Sequence, residues 1–183
     1  MDKFIECCRT GNLENLVKIY KSDPNININI NNELPFRVAC QHGHLNIIRQ
    51  LYRWSPIIDI GVYKDYTFRN ACYHGHLNII NQLYSWRPEI DFSIENYGGF
   101  RLACYGNHLN VIRQLYIWHP FIEINNMSII EWLALLNNGV NIIRVIWSLE
   151  PNILNICMKE FSHFSKWYDY KCPNSIKTIL EYN

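Results

Sequence analysis

The chain has 183 residues, of which 49% are hydrophobic and 18% are charged, with 17 Lys and Arg against 16 Asp and Glu. This composition predicts a single globular domain over residues 1–183, and the net charge of +1 provides no field to hold a nucleic acid. No apolar run approaches the roughly 20 residues of a membrane-spanning helix. Seven cysteines without a secretory signal indicate free thiols in a reducing, cytoplasmic setting.

One segment recurs along the chain every 32 residues. Similar copies begin at Phe4, Phe36, Phe68 and Phe100, and a fifth, weaker copy begins at Glu131. The predicted repeats lie near residues 2–33, 34–65, 66–97, 98–128 and 129–155. The remaining residues, 156–183, are expected to form a degenerate pair of capping helices; a short tail that docks a partner is the alternative.

Each repeat is predicted to contain two short helices. In the third repeat, Phe68, Ala71 and Cys72 are spaced to share one face of the first helix. The second helix carries an apolar face formed by Leu77, Ile80, Leu83 and Tyr84. This spacing predicts an all-helical chain.

Two further columns mark where the helices end. The turn between the two helices holds Gly11, Gly43, Gly75, Asn107 and Asn138. Glycine and asparagine are the residues that adopt a positive φ most easily, so this turn is predicted to be left-handed. The second column holds Pro24, Pro56, Pro88, Pro120 and Pro151. Each proline should end the second helix, and an extended stretch such as "EIDFSIENYGG" should lead to the next repeat.

The repeat resembles the ankyrin repeat. "LPFRVACQHGH" (34–44) aligns with the ankyrin pattern T-P-L-H-x-A-A-x-x-G-H, and "IIRQLY" (47–52) aligns with V-V-x-x-L-L. The resemblance implies an ankyrin-like, all-α solenoid of about five to six helix-turn-helix repeats. The Asn- and Ile-rich style, as in "GHLNII", is similar to the divergent ankyrin proteins of large DNA viruses.

The segment "ACYHGH" (71–76) raises the question of a metal site, because a cysteine and two histidines alternate. Leu135 continues the cysteine column, so that column is expected to fill the core, and the glycine turn separates His76 from the helix that bears Cys72. The resemblance implies that His44, His76 and His108 hydrogen-bond the backbone at the turn. We therefore expect no metal, no cofactor and no catalytic residue, because a core cysteine without a cationic neighbour is inert.

Positions that differ between repeats are the candidates for binding a protein. They are Gln41, Tyr63, Tyr66, Asn70, Tyr73, Tyr97 and Tyr105. Tyrosine is enriched at interfaces, although some of these residues could pack between neighbouring loops. The tryptophans Trp54, Trp86 and Trp118 are expected to pack between repeats. Arg37, Arg69 and Arg101 are expected to hydrogen-bond between repeats, with a cationic ladder for acidic partners as the alternative.

These features predict a non-enzymatic, monomeric scaffold for protein–protein interactions, viral in origin and binding a host factor in the host cytoplasm. A metal-binding protein that uses the Cys and His columns is one alternative. A structural component that assembles by stacking is another.

Overall fold

The computed structural model describes residues 1–91 and 94–119, apart from the side chains of residues 62–64 and 94–96. This part of the chain contains eight α-helices and no strand, in agreement with the predicted all-α class. The first helices of the pairs are α1 (Asp2–Thr10), α3 (Ile30–Gln41), α5 (Val62–Tyr73) and α7 (Ile94–Tyr105). The second helices are α2 (Leu13–Ser22), α4 (Leu45–Trp54), α6 (Leu77–Trp86) and α8 (Leu109–Trp118). The repeat predicted at 129–155 and the cap predicted at 156–183 lie outside the described residues.

The helices are stacked in pairs. Helices α1, α3 and α5 each contact the second helix of their own pair. Each also contacts the first helix of the next pair, so α5 lies between α3 and α7. The chain divides into two compact units, Met1–Val111 and Ile112–Asn183, and the boundary falls inside α8. None of the described helices is long and apolar enough to cross a membrane.

The core follows the repeated apolar columns. Phe68, Ala71 and Cys72 are buried, which confirms the predicted face of the first helix. In the second helix the buried residues are Ile79, Ile80 and Leu83, whereas Leu77 and Tyr84 are half-buried. The buried face therefore includes Ile79, which the prediction left out, and Leu77, the first residue of α6, is only partly covered.

The predicted helix ends are confirmed within the described repeats. The φ angles are 74° at Gly11, 78° at Gly43, 73° at Gly75 and 59° at Asn107, so the turn column is left-handed. The residues before Pro24, Pro56 and Pro88 are extended, with φ between −138° and −140°. Asn138, Pro120 and Pro151 lie outside the described residues.

The stretch that joins one repeat to the next is not extended as predicted. Where it enters α3, α5 and α7, a second left-handed column interrupts the first turn of each helix; it is formed by Glu33, Asp65 and Tyr97, with φ of 64°, 56° and 57°. Asn31 and Asn32 are left-handed as well. The prediction was wrong because the chain must reverse direction here before it enters the next first helix, and a left-handed turn makes that reversal within a few residues.

Candidate interaction surface

The repeated histidines connect neighbouring repeats. Each Nε2 donates to a backbone carbonyl oxygen 35 residues earlier, and the distances are 2.8 Å for His44 to Arg9, 2.9 Å for His76 to Gln41 and 2.8 Å for His108 to Tyr73. These carbonyls belong to the last turns of the preceding first helices, where a helix leaves its carbonyls unpaired. The expected backbone hydrogen bond is confirmed, and it joins two repeats.

The turn glycines make room for these histidines. A Cβ atom at Gly11, Gly43 or Gly75 would lie 2.6, 2.8 or 2.3 Å from the nearest ring atom of the histidine in the next repeat. Glycine is therefore favoured at these positions for two reasons: the backbone has a positive φ, and an imidazole ring lies where a Cβ atom would be. The histidine and the preceding glycine act as one structural unit.

The cysteines have neither the exposure nor the chemistry of a reactive site. Cys8, Cys40, Cys72 and Cys104 are buried, and all five described cysteines are free thiols. Burial raises the pKa of Cys8 to about 12 and raises the pKa of Cys72 as well. Thiols with such pKa values are protonated near neutrality and are poor nucleophiles and poor metal ligands. Among the described residues, no group of three or more Cys, His, Asp or Glu side chains could hold a metal ion.

A second set of histidines lies on the surface beside the first. The rings of His42 and His44 are stacked with centroids 6.3 Å apart, and those of His74 and His76 are stacked at 5.8 Å. Desolvation, followed by the charges of neighbouring histidines, lowers the pKa of His74. The stacked rings do not converge on a common point, so their arrangement favours packing along the turns.

The sides of the first helices that face away from the core carry most of the predicted binding residues, and the exposed ones lie on α5 and α7. Tyr66, Asn70 and Tyr73 are spaced i, i+4 and i+7 along α5, on the side opposite Phe68, Ala71 and Cys72. The exposed fractions are 40% for Tyr66, 46% for Tyr73 and 37% for Tyr105. We call Gln41, Tyr66, Asn70, Tyr73 and Tyr105 the first-helix face.

A row of three residues crosses this face. Gln41, Tyr73 and Tyr105 occupy the same register position at the ends of α3, α5 and α7. Because packed helices lie about 8–10 Å apart, the row extends about 16–20 Å across three repeats. The Gln41 side chain is half-buried, while both tyrosines are exposed.

The remaining two candidates lie near the beginnings of α5 and α7. Tyr97 is half-buried and occupies a left-handed position, with φ of 57°. The side chain of Tyr63 lies outside the described residues. The first-helix face thus holds five of the seven predicted residues, and Tyr97 lies in the first turn of α7.

Arg37 stabilises the left-handed turn at the end of the preceding repeat. Its Nε donates to the carbonyl oxygen of Asn32 at 2.7 Å, and its Nη2 donates to that of Asn31 at 3.0 Å. Asn31 and Asn32 lie at the end of the preceding repeat, so the expected hydrogen bond between repeats is confirmed for Arg37; the left-handed turn brings the two carbonyls to the guanidinium. Arg37 also reaches the next repeat through the Tyr66 ring, whose centroid is 5.9 Å from Cζ. Arg69 and Arg101 are also half-buried.

Trp54 and Trp86 pack between repeats as predicted. Trp54 stacks on Tyr20 of the preceding repeat with centroids 3.9 Å apart, and Trp86 stacks on Tyr52 at 4.1 Å. Trp118 is the last residue of α8. These contacts fix the ends of the second helices and leave Trp54 and Trp86 engaged in packing.

Sequence comparison between repeats missed one ion pair. Arg87 Nη1 lies 2.6 Å from Asp65 Oδ1, and the Asp65 side chain is almost fully buried. Burial raises the pKa of Asp65, and the Arg87 charge opposes that effect. A Cβ at Gly61 would clash with the guanidinium, so this glycine provides its space. The sequence does contain a signal, because Gly61 and Arg87 each differ from the residues at the equivalent positions of the other repeats. A difference found in one repeat does not show which residue Arg87 pairs with.

No protein-family model matches the sequence, and no curated protein matches it. The chain is similar in structure to an ankyrin repeat family protein from Legionella pneumophila, with a TM-score of 0.54 and 23% sequence identity. The match covers 83% of this chain and 47% of that protein, so the chain corresponds to about half the length of its neighbour. This likeness shows that the chain has the ankyrin-repeat fold.

Proposed function

We propose that the protein is a non-enzymatic scaffold that binds a partner protein through the first-helix face. The observation that carries the proposal is the exposure of Tyr66, Tyr73 and Tyr105 on neighbouring first helices whose opposite sides are buried. Tyrosine gives a large contact area for few rotatable bonds and has a hydroxyl that can hydrogen-bond, which suits it to interfaces. The ankyrin-repeat fold supports the same function by analogy.

The framework beneath this face supports binding because it is ordered in advance. The His108 ring holds the carbonyl of Tyr73, and the Arg37 guanidinium lies over the Tyr66 ring. A partner would then meet side chains whose backbone is already fixed by packing, which lowers the entropy lost on association. Tyr63 and Tyr97, near the beginnings of α5 and α7, extend the proposed contact region.

The proposal includes a viral origin and a host protein as the partner. Its support is the Asn- and Ile-rich repeat style, which resembles that of divergent ankyrin proteins of large DNA viruses. A cytoplasmic location, in the host cytoplasm, fits five free cysteines among the described residues. We propose that the protein is a monomer, since the exposed sides of the first and second helices then remain accessible to partners.

The test is to capture a partner from host lysate, identify it by mass spectrometry, purify it, and measure its affinity by calorimetry. Replacing Tyr66, Tyr73 and Tyr105 with alanine should weaken binding about 30-fold or more, because buried interface aromatics often contribute 2 kcal/mol or more. Ser85→Ala, on the exposed side of α6, is the matched control and should bind as the wild type does. Equal affinities of the triple variant and the wild type would show that the first-helix face is not the binding surface.

A further inference from the structure

The exposed sides of the second helices carry a different chemistry from the first-helix face. Helices α2, α4 and α6 bury Leu16, Ile48 and Leu83. The exposed sides of α2 and α4 carry four basic residues, which we call the basic patch: Lys18, Lys21, Arg49 and Arg53. The three helices contain one acidic residue, Glu14, and α4 and α6 contain none. Surfaces of soluble proteins usually mix charges of both signs, so this segregation is unusual.

The two arginines of the patch are held in place by neutral groups. Arg49 Nε donates to Gln82 Oε1 at 2.7 Å, which connects α4 to α6, and Arg53 Nη1 donates to Gln50 Oε1 at 3.1 Å. Neither guanidinium forms an ion pair with a carboxylate of the described residues. An amide oxygen orders a guanidinium without cancelling its charge. Both positive charges therefore remain available to a ligand.

The helix ends bring the patch together. Trp54 stacks on Tyr20, so the last turns of α2 and α4 lie side by side. Lys21 and Arg53 occupy the same register position on these two helices, and Arg49 is one turn before Arg53. Lys18 is paired with Glu14 at 2.6 Å, and this exposed pair contributes little net charge. The net positive charge of the basic patch therefore comes mainly from Lys21, Arg49 and Arg53.

The spacing of the arginines fits an extended acidic chain. Side chains at i and i+4 of a helix are about 6 Å apart, and alternate residues of an extended strand are about 6.6 Å apart. Carboxylates at alternate positions of a bound segment could therefore meet Arg49 and Arg53 together. Guanidinium and carboxylate groups form charge-assisted, often bidentate hydrogen bonds.

From this geometry we infer that the basic patch is a second docking surface, and that its occupant is an extended segment of another protein with acidic residues at alternate positions. A protein segment is favoured over a nucleic acid because the charge is local. Exposed acidic residues lie near it in the chain, including Asp23 directly after α2 and Asp59 in the next loop, and the net charge of the chain is only +1. A polyphosphate needs many contacts and a broad positive field, which this surface does not offer.

The test uses a fluorescein-labelled peptide of about 12 residues with glutamate alternating with serine, and a matched peptide with lysine in place of glutamate. Anisotropy should show that the glutamate peptide binds and the lysine peptide does not. The affinity should fall steeply between low and physiological salt. In R49Q/R53Q the affinity should fall about tenfold, as expected for two exposed charge contacts.

Two controls separate this surface from the first-helix face. Y73A/Y105A should bind the glutamate peptide as the wild type does, and circular dichroism should show that both double variants are folded. Equal binding by R49Q/R53Q and the wild type would overturn the inference, as would no binding of the glutamate peptide at low salt. Tighter binding of a single-stranded 12-mer DNA than of the glutamate peptide would overturn it as well, because the surface would then be one for nucleic acid.

Discussion

His76 Nε2 lies 2.9 Å from the carbonyl oxygen of Gln41, which is 35 residues earlier and belongs to the preceding repeat. Its ring also occupies the space that a side chain at position 43 would need. The histidine thus hydrogen-bonds a carbonyl at a helix end and packs against the glycine of the preceding turn. Together these contacts fix how the two repeats align. The same relationship joins His44 to Arg9 and His108 to Tyr73. Because each contact is made only between neighbours, the array gains stability from each interface.

The left-handed turn column gives the first prediction. Gly75→Val should destabilise the protein by about 2–4 kcal/mol, because a β-branched residue is strained at a φ of 73° and its Cβ would displace the His108 ring. Asn107→Gly, at the equivalent position of the next repeat, should change stability by about 0.5 kcal/mol or less. Urea denaturation measures both variants. Similar losses of stability in the two would contradict the geometry of the column.

Alanine substitutions should reduce stability much more in the core than on the first-helix face. Phe68 is 2% exposed, so Phe68→Ala should cost about 3–5 kcal/mol through the cavity it leaves. Tyr66→Ala, two residues earlier on the exposed side, should cost about 1 kcal/mol or less, since it loses mainly the contact with Arg37. Thermal melting followed by circular dichroism compares them. A loss for Tyr66→Ala as large as that for Phe68→Ala would mean that this tyrosine belongs to the packing.

The buried Glu33 gives a prediction for pH. Burial raises the pKa of Glu33 and the nearby Asp59 charge adds to the effect, while the Asp59 N–H and the Arg37 charge oppose it. Its Oε2 has no hydrogen-bond partner among the described residues. A carboxyl whose pKa is raised on folding contributes stability below its unfolded pKa and loses that contribution as the pH rises through its folded pKa.

Glu33→Gln should therefore raise the melting temperature more at pH 7 than near pH 4, because the stability that the wild-type carboxyl contributes falls as the pH rises. Glu14→Gln is the control, because Glu14 is exposed and its pair with Lys18 lies on the surface. It should change the melting temperature little at either pH. A gain for Glu33→Gln that is equal at pH 7 and pH 4 would rule out ionisation as its cause.

Features that recur in every repeat could be predicted from the sequence. The Gly and Asn column, the Pro column and the apolar faces each reflect one backbone or packing requirement that returns every 32 residues. The stack of Trp54 on Tyr20 and the scaffold role of His76 could be predicted for the same reason. The fold class followed from these columns together.

Features carried by a single repeat, or by unlike residues, could not be predicted. The second left-handed column holds Glu33, Asp65 and Tyr97, and only the aspartate is of a type that favours a positive φ. The pairing of Asp65 with Arg87 occurs in one repeat, so no column records it. The exposed side of α5 was predictable from helical spacing, but the row that Tyr73 forms with its neighbours depends on how the helices stack.

The central claim is that the histidine turns hold neighbouring repeats together and bind no metal. The measurement that tests it most directly is the unfolding free energy of His76→Ala and of the wild type, both in buffer containing a chelator. Loss of the bond to Gln41 should destabilise the variant by about 1–3 kcal/mol without any metal present, because a helix-end carbonyl loses its partner. Equal stabilities in the chelator, with a difference that develops only when zinc is added, would contradict the account and restore the metal site.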